Sequence, residues 1–253
     1  MSVFRVFRVE YDGTVGYALQ VDGSYRRIDS DVFAGPPYAT GPEIKPARFL
    51  APVLPSKVVA IGLNYRDHAA EMKKALPAEP LMFMKPSTAV IGPGDAIRMP
   101  PGAGRVDHEA ELAVVIGKCA YRVPADRASD YILGFTCFND VTARDLQVKD
   151  VQYTRAKGFD TFAPMGPCLA VGLDPAGLDI EGSVNGERRQ SSNTSQLIFS
   201  VAQIVAFATS VMTLLPGDVI ATGTPSGVGP LKPGDQVRVT ISGIGELCNP
   251  VIE

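Results

Sequence analysis

Several features that point to particular protein classes are absent from this 253-residue sequence. A basic excess is missing, because the formal net charge is −3, and this argues against a nucleic-acid-binding protein. No apolar run approaches the ~20 residues that span a bilayer. The first residues, MSVFRVFRVEYDG, lack the long apolar core of a secretion signal. We therefore expect a cytoplasmic protein that binds neither nucleic acid nor membrane.

Cysteine is scarce as well. The four cysteines are widely spaced and form no CxxC pair, which indicates reduced, buried thiols. Hydrophobic residues make up 45% of the chain and charged residues 20%, which is the balance of a globular protein. The length suffices for one large domain with a small appendage.

The N-terminal part is predicted to be a small β segment. Phe7, Val9 and Tyr11 alternate with polar residues, and Asp-Gly pairs at 12–13 and 22–23 are typical of hairpin turns. Residues 30–57, with the stretch GPPYATGPEIKP, are rich in proline and glycine and are predicted to be an irregular linker. We therefore divide the chain into an N-terminal β segment, 1–50, and a main domain, 51–253.

Strand patterns dominate the main domain. Strands are predicted at 57–62, 80–84, 109–116, 133–139, 219–222 and 236–241. Helices are predicted at 67–75, 124–130, 142–150 and 196–213, the last with the longest amphipathic pattern. The pair Asn185-Gly186 predicts a type I′ hairpin. Because strands and helices do not alternate regularly, we predict an α+β fold with a mixed or antiparallel sheet.

Three carboxylates form a candidate metal site. Glu109 and Glu111 are two apart at the start of an apolar strand, so they share one face. Asp140 follows the next apolar strand. Close carboxylates repel one another unless a cation lies between them, and an all-oxygen set favours Mg²⁺, Mn²⁺ or Ca²⁺. The alternative is an edge strand whose acids face solvent, with Asp140 as a helix N-cap.

His68 and Glu71 form a candidate general base. They are three residues apart on a predicted helix, so their side chains can meet, and a carboxylate that orients an imidazole raises its basicity. The alternative is a surface pair without a task. His108, the second histidine, points to the face opposite Glu109 in the predicted strand, and we assign it no role.

Further polar residues could bind a ligand beside the carboxylates. Arg144 and Gln147 lie four and seven positions after Asp140, on one helix face. Lys157 would offset residual negative charge and help to bind an acidic substrate. The loop TGTPSGVG at 222–229 lacks the Gly-Lys-Ser/Thr ending of a P-loop, so it is interpreted as a tight loop with a ligand contact from Thr224. For each charged residue alone, the alternative is a solvated side chain.

Taken together, six segments resemble the fumarylacetoacetate hydrolase family. They follow in the family's order over roughly 55–250, and they are NYRDH at 64–68, FMKPS at 83–87, HEAEL at 108–112, NDVTARD at 139–145, VNGER at 184–188 and TGTPSGVG at 222–229. The resemblance implies a mixed β-sandwich roll and a homodimer. It implies that Glu109, Glu111 and Asp140 bind Mg²⁺ or Mn²⁺.

The same resemblance implies roles for the other candidates. His68 with Glu71 would activate water or move a proton, Lys157 would join them in catalysis, and Arg144, Gln147 and Thr224 would line the substrate site. The expected substrate is a small 2-oxo or 2-hydroxy-dienoic acid, as in the breakdown of aromatic compounds. The reaction would pass through an enolate, by isomerisation or C–C hydrolysis, or alternatively by decarboxylation of a β-keto acid such as oxaloacetate.

One departure from the family bears on the reaction. Family members that hydrolyse acylpyruvates carry a longer stretch between the positions of Gln147 and Lys157, where this chain has only residues 148–156. This favours the isomerases of 2-hydroxyhepta-2,4-diene-1,7-dioate. Two alternatives of another class are a non-catalytic, metal-stabilised binding protein and a nucleotide-binding protein that uses the 222–229 loop. The candidate general base formed by His68 and Glu71 argues against the non-catalytic binding protein, because a protein that only binds its ligand needs no general base.

Overall fold

A computed structural model describes residues 3–253; residues 1 and 2 of the predicted N-terminal segment lie outside the described residues. Strands dominate the described part of the chain. The strands are Phe4–Tyr11 (β1), Thr14–Val21 (β2), Ser24–Ile28 (β3), Thr40–Ile44 (β4), Arg48–Phe49 (β5), Lys57–Gly62 (β6), Leu81–Pro86 (β7), Val90–Ile91 (β8), Ile97–Arg98 (β9), Val106–His108 (β10), Ala110–Ile116 (β11), Ile132–Asn139 (β12), Thr142–Ala143 (β13), Ala163–Val171 (β14), Asp179–Val184 (β15), Glu187–Asn193 (β16), Val219–Ala221 (β17), Gly229–Pro230 (β18), Gln236–Ile241 (β19) and Gly245–Ile252 (β20).

The helices are few and short. The α-helices are Arg66–Glu71 (α1), Arg144–Asp150 (α2), Thr154–Lys157 (α3) and Val201–Val211 (α4). The 3₁₀ helices are Val32–Ala34, Ser87–Ala89, Ala125–Tyr131 and Thr194–Gln196. Within residues 3–253, no helix has the length and apolar character needed to cross a membrane. The predicted α+β class with a mixed sheet is confirmed.

The strands form three sheets. The largest has the order β4-β3-β2-β1-β14-β12-β11-β17-β6-β7, with β5 on β1 and β8 on β14. Most neighbours are antiparallel, but β17 and β6 are parallel. A small sheet has the order β13-β10-β18, and a third has the order β16-β15-β19-β20-β9. The third sheet packs on the large one where β11 and β12 meet β15 and β19.

The N-terminal strands form the predicted hairpins, with Asp12 and Asp22 in left-handed turn conformations (φ 47° and 48°). The prediction of an irregular linker at 30–57 was wrong in part, because it contains β4 and β5. Strand β4 is the edge of the large sheet, where a proline is tolerated since one side needs no ladder partner. Strand β1 pairs with β14, so the N-terminal strands extend the large sheet. The domain boundary at residue 50 stays a prediction.

The core lies on both faces of strands β12, β11, β17 and β6. Every residue of β11 is buried, and alternate residues enter different clusters: Leu112 and Val114 one, Ala113 and Val115 the other. Burial on both faces explains the continuous apolar run, since a half-exposed strand would alternate. Helix α4 packs in the first cluster.

Several predicted helix bounds were too wide. Helix α4 begins at Val201 rather than at 196, because Ser200 and Gln203 form a capping box there and Leu197 forms a β-bridge with Tyr65. Helix α1 ends at Glu71, and residues 125–131 form a 3₁₀ helix rather than an α-helix. The predicted helix at 142–150 begins at Arg144, after two residues of strand β13.

Candidate active site

Three buried carboxylates line one cavity. Glu109, Glu111 and Asp140 each offer an oxygen atom, and these atoms lie within 4.8 Å of one another. The three residues are only 5%, 2% and 1% exposed. The alternative of an edge strand with solvated acids does not describe this arrangement, because β11 lies inside the sheet between β12 and β17.

The two glutamates are positioned differently from the prediction. The strand was expected to begin at Glu109, but Glu109 lies between β10 and β11, where the chain passes from the small sheet to the large one. Its backbone N–H donates to Oδ1 of Asn139 (2.9 Å), and its carbonyl accepts from the backbone N–H of Asp140 (2.9 Å). The break therefore ties Glu109 directly to the neighbouring Asp140, and the two-residue spacing still brings Glu109 and Glu111 together.

Glu111 is the least satisfied of these acids. Its one hydrogen bond within the described chain is from the backbone N–H of Gly223 (2.8 Å). Burial, followed by the charges of Asp140 and Glu109, raises the pKa of Glu111 well above its ordinary value. A cation between the carboxylates would remove this penalty, and their oxygen-only donor set suits a hard divalent ion.

Two cationic side chains face the other acids. Lys157 Nζ donates to Glu109 Oε2 (2.9 Å) and also to Asp140. Arg144 donates to Glu109 Oε1 and to Asp107 Oδ2. Burial disfavours charge on Glu109, but Lys157 and Arg144 outweigh it and hold the pKa of Glu109 well below its ordinary value. Burial likewise disfavours charge on Lys157, but the adjacent Asp140 and Glu109 leave its pKa raised.

Lys85 is a further cation that sequence reasoning missed. It is 1% exposed and donates to Asp140 Oδ1 and to the carbonyl of Val141 (3.1 Å). Burial lowers the pKa of Lys85, outweighing the attraction of Asp140. The signal in the sequence was a lone lysine inside the apolar strand β7, because a charge is rarely buried without a partner.

The histidine pair forms as predicted in geometry. His68 Nδ1 lies 3.0 Å from Glu71 Oε2, and an ionised carboxylate can only accept, so Nδ1 carries the proton and donates. The Glu71 carboxylate also accepts from the backbone N–H of Gly227 (3.1 Å). His68 itself is buried (8% exposed) and lines the cavity, so it is not the surface pair of the alternative interpretation.

The remaining candidates lie around the same cavity. Arg144 donates to Gln147 Oε1 (3.0 Å), which holds the two side chains of α2 together. Thr224 Oγ1 donates to the carbonyl of Ala110 (2.9 Å), which attaches the 222–229 loop to the start of β11.

The cavity has a volume of about 290 Å³. Eight of the nine sequence-predicted residues line it, and the ninth, Glu71, lies behind His68. Apolar side chains, among them Phe83 and Leu81, form other parts of its wall. The structure thus brings acids, cations and one imidazole together around a single cavity.

Comparison with known proteins places this architecture in a family. Residues 57–252 match the family described as fumarylacetoacetate (FAA) hydrolase C-terminal, and the chain belongs to that family. A solved structure described as 2-hydroxyhepta-2,4-diene-1,7-dioate isomerase from Mycobacterium marinum is 44% identical, with a TM-score of 0.90 and 98% of each chain covered.

Two further relatives carry functional names. A structure described as 5-carboxymethyl-2-hydroxymuconate delta-isomerase from Mycobacterium smegmatis is 45% identical, with a TM-score of 0.90, and covers 98% of this chain and 99% of its own. A protein of Rattus norvegicus named oxaloacetate tautomerase Fahd2a is 44% identical over 216 residues, which are 81% of this chain and 68% of that protein. The resemblance inferred from the six segments is therefore confirmed.

Proposed function

We propose that this protein is a divalent-metal-dependent isomerase that moves a proton between the enol and keto forms of a small 2-oxo dicarboxylic acid. The observation that carries the proposal is the shared cavity, in which a buried acid triad and an imidazole held by a carboxylate line the same space. The names of these relatives support the substrate class, since oxaloacetate and 2-hydroxyhepta-2,4-diene-1,7-dioate are both diacids with oxygen at carbon 2.

Glu109, Glu111 and Asp140 would hold Mg²⁺ or Mn²⁺. The fit rests on their oxygen-only donors and on the unrelieved repulsion around Glu111. When bound there, the ion would supply Lewis-acid stabilisation of negative charge on the substrate's oxygens. Ca²⁺ accepts the same donors.

His68 would transfer the proton. Because Nδ1 donates to Glu71, Nε2 is the basic nitrogen, and it can take the proton from the enol hydroxyl of the substrate and deliver it to the substrate carbon, or carry it in the reverse direction. Glu71 would hold the ring and stabilise the imidazolium that forms. The backbone N–H of Gly227 donates to Glu71, so the carboxylate that orients the base is itself held in place.

Arg144, Gln147, Thr224 and Lys157 would bind the substrate. Three of the five N–H donors of Arg144 are used by Asp107, Glu109 and Gln147, which leaves two for a carboxylate. Lys157 lies beside the acids and would balance charge that develops during proton transfer.

The test is an activity panel on the purified protein with Mg²⁺ or Mn²⁺. We expect ketonisation of enol-oxaloacetate, followed by ultraviolet absorbance, and isomerisation of the hydroxydiene diacid. His68→Ala should reduce these rates by about 10²–10⁴-fold, the usual contribution of a general base, while oxaloacetate decarboxylation falls less. Equal losses of both activities would contradict the role of His68 in proton transfer.

The same panel separates the alternatives. Cleavage of acylpyruvates with little tautomerase activity would favour C–C hydrolysis, with His68 activating water. Mn²⁺ binding without turnover of any substrate would favour the non-catalytic binding protein, and a melting shift with ATP but none with oxalate would favour a nucleotide site. The homodimer and the cytoplasmic location stay predictions, the first open to light scattering in solution.

A further inference from the structure

Gln190 joins both sides of the proposed site although it does not line the cavity. It lies on β16 in the third sheet and is fully buried (0% exposed). Its Oε1 accepts from the backbone N–H of Ala110 (2.9 Å) and lies 3.1 Å from His108 Nδ1. Its Nε2 donates to Thr224 Oγ1 (2.8 Å) and to the carbonyl of Pro225 (2.9 Å). One amide therefore makes four hydrogen bonds to two segments.

The orientation of this amide follows from its partners. The Ala110 backbone N–H can only donate and the Pro225 carbonyl can only accept, so the oxygen of Gln190 must face Ala110 and the nitrogen must face Pro225. His108 must then donate from Nδ1. This gives a role to the histidine that sequence reasoning left without one.

The oxygen side of the amide acts on Glu109. His108 and Ala110 are the residues immediately before and after Glu109, at the break between β10 and β11, and both donate to Oε1 of Gln190. The backbone at this break has no continuous strand ladder to set its direction. The two donors to Oε1 hold the residues on either side of Glu109, and together with the backbone contacts of Glu109 to Asn139 and Asp140 they fix the point from which its side chain projects.

The nitrogen side of the amide acts on the loop at 222–229. Thr224 Oγ1 is held between the donor Nε2 of Gln190 and the acceptor carbonyl of Ala110. Pro225 is held through its carbonyl. A substrate contact from Thr224 thus depends on the same amide that orients Glu109.

The surrounding backbone is shaped to admit this side chain. Gly182 pairs with Gln190 across the hairpin, and a Cβ at Gly182 would lie 2.7 Å from Gln190 Oε1. The pairing register shifts just beyond this pair, which leaves Arg189 as the extra residue of a β-bulge. A Cβ at Gly227 would lie 2.1 Å from the carbonyl oxygen of Arg189, so the loop also packs closely on the bulge.

We propose that Gln190 is a positioning residue that sets the geometry of the metal ligand Glu109 and of the substrate-binding Thr224 together. The inference rests on the proposed function for what Glu109 and Thr224 bind. Because the amide is buried, water cannot replace it if it is removed. Its partners on the Glu109 side and on the Thr224 side would then lack a hydrogen bond, and this would favour a different backbone conformation in each segment.

Three variants test the arrangement against one control. Gln190→Met keeps the size but removes all four hydrogen bonds, and Gly182→Ala keeps the amide but displaces it. His108→Phe removes one bond on the Glu109 side and leaves the bonds to Thr224 and Pro225. Gln196→Met makes the same chemical change on an exposed glutamine.

The readouts are the Mn²⁺ affinity from calorimetry and, at saturating Mn²⁺, KM and kcat for the substrate turned over. Losing one or two buried hydrogen bonds should weaken binding about three- to tenfold. For Gln190→Met and Gly182→Ala we expect weaker Mn²⁺ binding and a raised KM. For His108→Phe we expect weaker Mn²⁺ binding with KM unchanged, and for Gln196→Met neither effect.

This split separates positioning from a merely structural role. If all three variants lower the melting temperature but keep wild-type Mn²⁺ affinity and KM, Gln190 only stabilises the fold and the proposal is wrong. Because the chain has two histidines, ¹⁵N-histidine spectra also report the His108 tautomer directly. The arrangement is supported if His108 of the wild type is a single tautomer protonated at Nδ1 and if Gln190→Met no longer shows that single tautomer. This readout does not need the metal. If the wild type binds no Mn²⁺, that result refutes the metal centre and not the tautomer.

Discussion

Two buried carboxylates in different regions of this molecule have opposite surroundings. Asp218, immediately before β17, accepts hydrogen bonds from the backbone N–H groups of Ser56, Lys57 and Leu215, from the Ser56 hydroxyl and from the Lys57 ammonium. Glu111, in β11, accepts one, from Gly223. Burial opposes ionisation at both, but the donors around Asp218 lower its pKa, whereas that of Glu111 is raised.

The difference distinguishes Asp218, an acid that stabilises the fold, from Glu111, an acid that is suited to bind a cation. A carboxylate with five donors has its charge met by the protein, so it holds the chain together and needs nothing further. A buried carboxylate with one donor and two acidic neighbours is costly, and such groups concentrate at functional sites. Substitutions at the two acids and at one of their partners test this contrast.

Removing the structural acid should have the largest effect on stability. Asp218→Ala leaves three backbone donors, the Ser56 hydroxyl and the Lys57 ammonium without the carboxylate that they share, and we expect a loss of roughly 3–5 kcal/mol in the free energy of unfolding. Urea denaturation measures this, with the exposed Asp126→Ala as control. A loss below about 1 kcal/mol would show that Asp218 is not the anchor between β6 and β17. Mn²⁺ affinity of the folded variant should be unchanged.

Removing the charge of Glu111 should weaken metal binding and stabilise the metal-free protein. Glu111→Gln takes away a proposed metal ligand, and we expect Mn²⁺ affinity to fall by more than ~100-fold, beyond the 10–100-fold typical of outer-shell changes. The metal-free protein should become more stable, because the repulsion with Asp140 and Glu109 is relieved. Calorimetry and thermal melting measure the two effects, with Glu79→Gln as the exposed control. Unchanged affinity would refute the metal assignment.

The pH dependence of stability should distinguish the Asp218 region. The pKa of Asp218 is lowered on folding, so its contribution is fully present above the unfolded value, 3.8, and is lost as the pH falls through the folded value. We therefore expect the stability difference between wild type and Asp218→Asn to shrink on acidification below about pH 4. Urea titrations from pH 6 to pH 3 measure it. A difference that stayed constant over this range would contradict the assigned charge.

The smallest effect should come from the partly exposed cation of the same region. Lys57→Met removes one of the five donors to Asp218, but the Ser56 and Leu215 donors and the Lys57 backbone remain. We expect a cost below about 1 kcal/mol, as for other solvent-screened ion pairs. A cost equal to that of Asp218→Ala would mean that the ion pair, rather than the hydrogen-bond cluster, stabilises this region.

The predictability of the fold followed the length and clarity of each pattern. The two hairpins and three of the strands formed as predicted, because local patterns specify them. Asp12-Gly13 and Asn185-Gly186 carry the turn chemistry, β6 and β12 are continuous apolar runs, and β19 alternates between apolar and polar residues. The predicted bounds of an element were wrong where a distant contact sets them. Leu197 forms a β-bridge with Tyr65, so α4 begins after it, at Val201. Strand β4 was missed because an edge strand tolerates residues that otherwise indicate a linker.

The amino-acid sequence alone was enough to predict which acids, which imidazole and which cations form the site, Lys85 excepted. The closeness of Glu109 and Glu111 follows from their two-residue spacing, where covalent geometry sets the distance, and the wider set was predicted from the family resemblance. Folding was needed to bring Lys85 to Asp140 and to let Gln190 join the two sides of the site. Those contacts link residues between 34 and 82 positions apart, and no local periodicity encodes them.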